Sequence, residues 1–143
     1  MDAIDLSRFT LAHRRQYDDA LREIRSGRKK THWMWFIFPQ LVGLGFSPTA
    51  RYYGIHDQEE ARAFLSDEYL GGNLREITQA LLSIECDDAH KIFGAPDDLK
   101  LRSSMTLFAS VSEQDSIFLQ VLDKFFGGAP DPKTLSLLNA NLR

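Results

Sequence analysis

Apolar side chains recur along most of this chain at spacings of three and four, the repeat of a helix that buries one face. Leu6, Phe9, His13, Tyr17, Ala20, Leu21 and Ile24 share such a stripe, with Asp5 or Ser7 placed to cap its start and Gly27 to stop it. The run His32-Trp33-Met34-Trp35-Phe36-Ile37-Phe38 is apolar nearly all round, which predicts a short buried helix ended by Pro39 and followed by a Gly43-Leu44-Gly45 turn. Ser47-Pro48 pairs an N-cap with proline at the first helical position and starts a helix through Arg51 that stops at Gly54. Asp57 opens another, with Glu59 and Glu60 at its positive end and Ala61, Phe64 and Leu65 facing inward. Tyr69, Leu70, Leu74, Ile77, Ala80, Leu81 and Ile84 predict a longer helix over 69–84, with Asn73 inside its stripe.

A one-turn helix over 87–93 ends at Gly94, and Ala95-Pro96-Asp97 begins one reaching about Ser110. Ile117, Val121, Leu122 and Phe125 predict a helix over 113–126, Gly127-Gly128 breaks it, and Asp131-Pro132 starts a last helix carrying Leu135 and Leu138. No segment alternates as a half-buried strand would. The pattern predicts an all-α fold, a single helical domain over 1–143 of about seven or eight mostly short helices with short connections.

Two stretches depart from plain core patterning. The first, Thr31 to Gln40, places both tryptophans of the chain beside His32 and Gln40. Tryptophan carries an N–H that needs a partner when buried, so Trp33 and Trp35 fit a pocket wall as well as a packed interior. Gln40 can pin a ligand edge with its paired donor and acceptor, or cap a buried helix end. The second stretch is the helix after Pro96. Its apolar arc of Leu101, Met105, Phe108 and Val111 also contains Ser104, with Lys100 at its edge. Lys100 can reach water along its stem, pair with a carboxylate or meet an anionic ligand. Ser103 and Ser104 are adjacent, so only one can point squarely inward, and both also suit close helix approach.

Composition narrows the function further. The 143 residues carry a formal charge of −3, are 43% hydrophobic and 26% charged, and include one cysteine, Cys86. One cysteine excludes an internal disulfide and a thiolate metal cluster. The acidic balance argues against broad nucleic-acid binding, and no uncharged apolar run is long enough to span a membrane. The polar, acidic start Met1-Asp2-Ala3-Ile4-Asp5 is unlike a secretory leader, so a cytoplasmic location is expected. Arg25, Arg28, Lys29 and Lys30 follow the first helix, either as a solvated cluster offsetting its dipole or as a phosphate-binding rim. Neither glycine-rich segment has the spacing of a P-loop or a dinucleotide fingerprint, no Gly-x-Ser-x-Gly elbow occurs, and no histidines stand at i, i+4. His13 lies centrally on an apolar stripe and reads as a hydrogen-bonded core histidine.

Arg8-Phe9, Tyr17, Gly27-Arg28-Lys29, His32 through Gln40, Gly43-Leu44-Gly45 and Lys100 through Phe108 together resemble a bacterial family catalogued as domain of unknown function 1810. The resemblance spans almost the whole chain and implies a small, largely helical protein, with no activity attached to it. Members have been labelled calpastatin, which nothing in this sequence supports. The family's pattern implies glutamine after Ala12, where this chain has His13.

The residues point to a small-molecule site for a phosphorylated or nucleotide-like ligand where the His32–Gln40 segment meets the Lys100–Thr106 helix, with no cofactor expected. Trp33 or Trp35 would stack on a planar group, Gln40 would read an edge, and Lys100 and Arg51 would hold an anion, helped by backbone donors at the start of the Asp97 helix. For an enzyme, His32 is the candidate general acid or base, with Ser103, Ser104 or Thr106 orienting substrate or water in a glycosidic or phosphoester hydrolysis. The alternative is a non-catalytic interaction or dimerisation module whose aromatic segment forms a groove, which requires exposed tryptophan.

Overall fold

A computed structural model describes residues 4–141 and places nine α-helices along them. They are α1 (Ser7–Arg25), α2 (Met34–Ile37), α3 (Pro48–Tyr53), α4 (Gln58–Ser66), α5 (Glu68–Ser83), α6 (Ala89–Phe93), α7 (Asp97–Ser110), α8 (Ile117–Phe126) and α9 (Pro132–Asn141). Each corresponds to a helix marked in the sequence, so the total is nine rather than the seven or eight expected from the pattern, and α2 and α6 are each about one turn long. Among the described residues there is no strand, and one isolated bridge joins Leu41 to Ile55.

Ser47 and Asp57 cap as their sequence signals predict, whereas the N-cap position of α1 is Leu6, with no side-chain cap bond, rather than Asp5 or Ser7. The side chains of Ser47, Asp57, Asp67 and Asp88 each accept backbone N–H groups at the starts of α3, α4, α5 and α6. Helix α8 begins four residues later than its apolar pattern suggests. Its cap is Ser116, which accepts from the Leu119 amide, and Asp115 just before it has φ +63°, a left-handed conformation that ends any helical run from Glu113.

Helix α7 is the centre of the molecule, packed against α4, α6, α8 and α9, while α1 and α4 pack on α5 and α5 on α8. Its residues Leu101 and Ser103 through Phe108 are all buried, which explains why it lacks a polar face. Phe9, Phe64, Phe108 and Phe118 form a chain of ring contacts from α1 through α4 and α7 to α8.

Buried polar groups fix how the helices meet. His13 of α1 is 1% exposed and bridges α2 and α5. Its Nε2 lies 2.8 Å from the Phe36 carbonyl and its Nδ1 3.1 Å from the Asn73 amide nitrogen, so the neutral ring donates through Nε2 and accepts through Nδ1. Burial pushes its pKa down to about 4, against which the Phe36 hydrogen bond and Asp67 act only in part. Glu23 of α1 accepts from the backbone N–H groups of Lys30 and Thr31, the Thr31 hydroxyl and the Trp33 indole N–H at 2.5–3.0 Å. Burial raises its pKa, but those four donors outweigh it and hold the carboxyl at about 2. Lys124 of α8 donates to the carbonyls of Leu81, Leu82 and Ile84, closing the C-terminal end of α5.

Candidate functional site

The two stretches singled out in the sequence meet at a pair of adjoining cavities. Trp35 from α2, Gln40 just after it, and Lys100 from the first turn of α7 come together, with the Lys100 ammonium 5.2 Å from the centre of a Trp35 ring. On one side lies a cleft of about 340 Å³, lined by Gln40, Leu44, Gly45, Pro96, Leu99, Lys100, Ser103, Asp131 and Lys133. On the other is a crevice floored by Met34, Trp35 and Phe38 and roofed by Ala50, Tyr53 and Gly54. Its free space of about 10 Å³ suits one water at most. Gln40 and Lys100 line both.

The cation in this site is held by a carboxylate that it shares. Asp97 Oδ2 lies 3.0 Å from Lys29 Nζ, and Asp97 Oδ1 lies 3.6 Å from Lys100 Nζ. The Lys29 side chain is only 8% exposed and also sits over Trp33 at 5.1 Å, so it takes the tighter half of the pair. Lys100 is left with a loose partner, an aromatic face beneath it and the cleft in front. Lys29 thereby departs from the solvated cluster expected of residues 25–30, whereas Arg25, Arg28 and Lys30 are exposed.

The remaining walls have separate jobs. Ser103 lines the cleft and donates to the Leu99 carbonyl at 3.2 Å. Asp131 caps α9 through its Oδ2, which receives the Thr134 amide and hydroxyl, and its own N–H donates to Thr106 Oγ1 at 2.9 Å. Lys133, exposed on the first turn of α9, adds a second lysine to the lining of the cleft. Asp131 had a signal in the sequence, the Asp-Pro helix start. Lys133 had none, because nothing in a single chain says that α9 returns to α7.

Other expected site residues do not share this cavity. Trp33 is fully buried, its N–H taken by Glu23, so it belongs to the core. His32 is exposed in the turn before α2, and Arg51 is exposed on α3; neither lines the cleft or the crevice. Ser104 is fully buried with its Oγ unpartnered, and Thr106 spends its hydroxyl on the Arg102 carbonyl and the Asp131 amide. The backbone donors expected at the start of α7 are mostly used: the Asp98 amide donates to Gly94, and those of Leu99 and Lys100 to Pro96. Asp97 and Asp98 add negative charge at that same end. Among the described residues no group of three or more His, Cys, Asp or Glu side chains could hold a metal ion, and no helix is long and apolar enough to cross a membrane.

The fold and site together define a small all-α protein with a lysine-lined cleft at the head of its central helix. This chain belongs to the family described as protein of unknown function, DUF1810, whose model matches residues 3–138. It is similar to the conserved hypothetical protein Rv1873 from Mycobacterium tuberculosis, known from a crystal structure at 1.38 Å. The two are 47% identical with a TM-score of 0.93, over 96% of this chain and 99% of that one. No curated protein matches the chain.

Proposed function

We propose that this protein binds a small phosphorylated molecule, nucleotide-like in its combination of anion and flat ring, in the cleft between Gln40 and Lys133. The observation that carries this reading is the Lys100 ammonium: half-buried, set over Trp35, only loosely balanced by Asp97, and facing a concavity that holds a second lysine. A phosphate there would meet Lys100 and Lys133 together, and the Gln40 amide and Asp131 Oδ1 would take hydroxyl or amide N–H groups beside it. Leu44, Pro96 and Leu99 supply the apolar rim that such ligand clefts usually have. No hydrolytic step is assigned, because His32 and the hydroxyls of Ser104 and Thr106 lie outside the cleft.

The alternative of an aromatic docking groove, for a partner or a second copy of the chain, needs tryptophan at the surface. Trp33 is buried and Trp35 half-buried under Lys100, and this favours the cleft.

The test is thermal unfolding with inorganic phosphate, ribose 5-phosphate, AMP and nucleotide sugars, repeated with Lys100→Ala and Lys133→Ala. A ligand at about a hundred times its Kd stabilises by about 2.7 kcal/mol, or roughly 8–10 °C for a chain of this size. The expected result is a rise of that order that Lys100→Ala abolishes and Lys133→Ala reduces. A rise unchanged in both variants, or none with any compound, contradicts the reading.

A further inference from the structure

The crevice over Trp35 is nearly filled, with about 10 Å³ free, and the segment that roofs it is held by few contacts. Residues 41–55 leave the core and return to it at one point: the Val42 amide donates to the Ile55 carbonyl at 2.8 Å and the Ile55 amide to the Gln40 carbonyl at 2.9 Å. The ends of the segment are thus clasped while its middle lies over the surface, the arrangement of an Ω-loop. Helix α3, which makes up its second half, has no buried residue. Phe46 and Tyr52 in the same loop are 72% and 60% exposed.

What holds the loop down is a short set of contacts. Arg8 donates to the carbonyls of Tyr52 and Gly54 at 2.9 and 3.1 Å, and the Tyr53 ring packs against Phe9 and Phe36. At the other end Gly43, with φ +102°, takes a backbone conformation that other residues rarely adopt, so the loop turns there without strain. Gly45 lies so close to Ala50 and Gln40 that a Cβ would come within 2.7 Å of the Ala50 Cβ, which folds the two halves of the loop onto one another. The loop can therefore move as a unit about its clasp, giving up the Arg8 bonds and the packing of Leu44 and Tyr53 on the core while its buried ends, Leu41 and Ile55, stay in place.

The same loop supplies the roof of the crevice and, through Leu44 and Gly45, one rim of the open cleft. Lifting it would join the two spaces across Gln40 and Lys100. We propose that the crevice is a cryptic ring-binding subsite, opened by displacement of the 41–55 loop, in which a planar ring stacks on Trp35 while the phosphate attached to it rests between Lys100 and Lys133. This rests on the cleft reading above and names its ligand class: a flat heteroaromatic ring joined to a phosphate by a short linker, as in a nucleoside monophosphate. Sugar phosphates would use the open cleft alone.

The test separates the opening from the binding. In a Cys86→Ser background, Met34→Cys puts a thiol on the crevice floor, where Met34 is 1% exposed, and Ala20→Cys puts one in the fully buried core of α1. Each is labelled with a thiol reagent under native conditions, and each rate is compared with that allowed by the variant's own unfolding equilibrium. The expected result is labelling of Met34→Cys at least tenfold faster than global unfolding permits, slowed at least tenfold by saturating AMP and little by inorganic phosphate, with Ala20→Cys limited by unfolding. Should Met34→Cys fail to fold, Ala50→Cys in the roof of the crevice reports the same opening. Labelling of the crevice thiol only through global unfolding overturns the subsite. So does AMP binding no tighter than ribose 5-phosphate through Lys100, an outcome that leaves the cleft reading standing. Opening without any binding of phosphate, ribose 5-phosphate or AMP overturns the cleft reading and the subsite with it.

Discussion

Glu23 is a carboxylate among apolar neighbours with four donors aimed at it, and it shows how one side chain can decide what a conspicuous motif means. The indole N–H of Trp33 is satisfied within the protein, and the 30–33 segment is pinned to α1 by the same group. The spacing Ala20, Glu23, Ile24 put Glu23 on the buried stripe, but a glutamate at a helix C-terminal end reads as solvated until its partners are seen. Glu23→Ala leaves four donors without their acceptor and is expected to cost about 3 kcal/mol in urea unfolding; a loss below about 1 kcal/mol would contradict the arrangement.

His13 makes a second residue-scale prediction. Its pKa falls from 6.5 to about 4 on burial, so the unfolded chain binds the extra proton between those values and the folded chain does not. Stability is therefore full above pH 6.5 and declines as pH falls toward 4, by about 1.4 kcal/mol per pH unit. Glu23, with its pKa lowered to about 2, adds acid sensitivity only below its ordinary value of 4.5. Urea unfolding at pH 7.5 and pH 5 should differ by about 2 kcal/mol on this slope. His13→Gln keeps one donor and one acceptor and should flatten it; an unchanged slope would mean that other groups carry the acid sensitivity.

At the scale of elements, nearly every helix was legible because its boundaries are written locally, in Ser47-Pro48, Asp57, Asp131-Pro132 and the glycines that stop the turns, while the caps Asp67 and Asp88 emerged only in the structure. Local signals do not say which helix meets which. The return of α9 to α7 depends on Thr106, which accepts the Asp131 amide, and on Arg102, which donates to the carbonyls of Ala129 and Pro130. From sequence Thr106 looked like a substrate-orienting hydroxyl, and here it anchors the start of α9, whose first turn carries Lys133 to the cleft. Thr106→Val leaves the Asp131 amide unpaired and is expected to cost about 1–2 kcal/mol, with faster amide hydrogen exchange in α9 than in α5. Equal exchange in the two helices would show that this contact does not hold α9.

For the whole molecule, the candidate cleft forms only because three distant stretches converge: 35–45, 96–103 and 131–133. Trp35, Gln40, Lys100 and Ser103 were legible as an unusual mixture of polar and aromatic residues in apolar runs. His32, Arg51, Ser104, Thr106 and Trp33 were equally conspicuous by residue type and lie outside the cleft, since type and spacing say nothing about which way a turn of chain faces. The net charge of −3 gives an anion no long-range attraction, so binding at Lys100 and Lys133 should act at short range and weaken with added salt.

The most direct test is an NMR titration of isotope-labelled protein with AMP, following every backbone amide. The cleft reading expects the largest shifts together at Gln40, Leu44, Gly45, Leu99, Lys100, Ser103 and Lys133, with their loss in Lys100→Ala. Shifts centred elsewhere, for instance in the Arg62 and Arg75 cleft between α4, α5 and the start of α8, or no shifts at millimolar AMP, would contradict it.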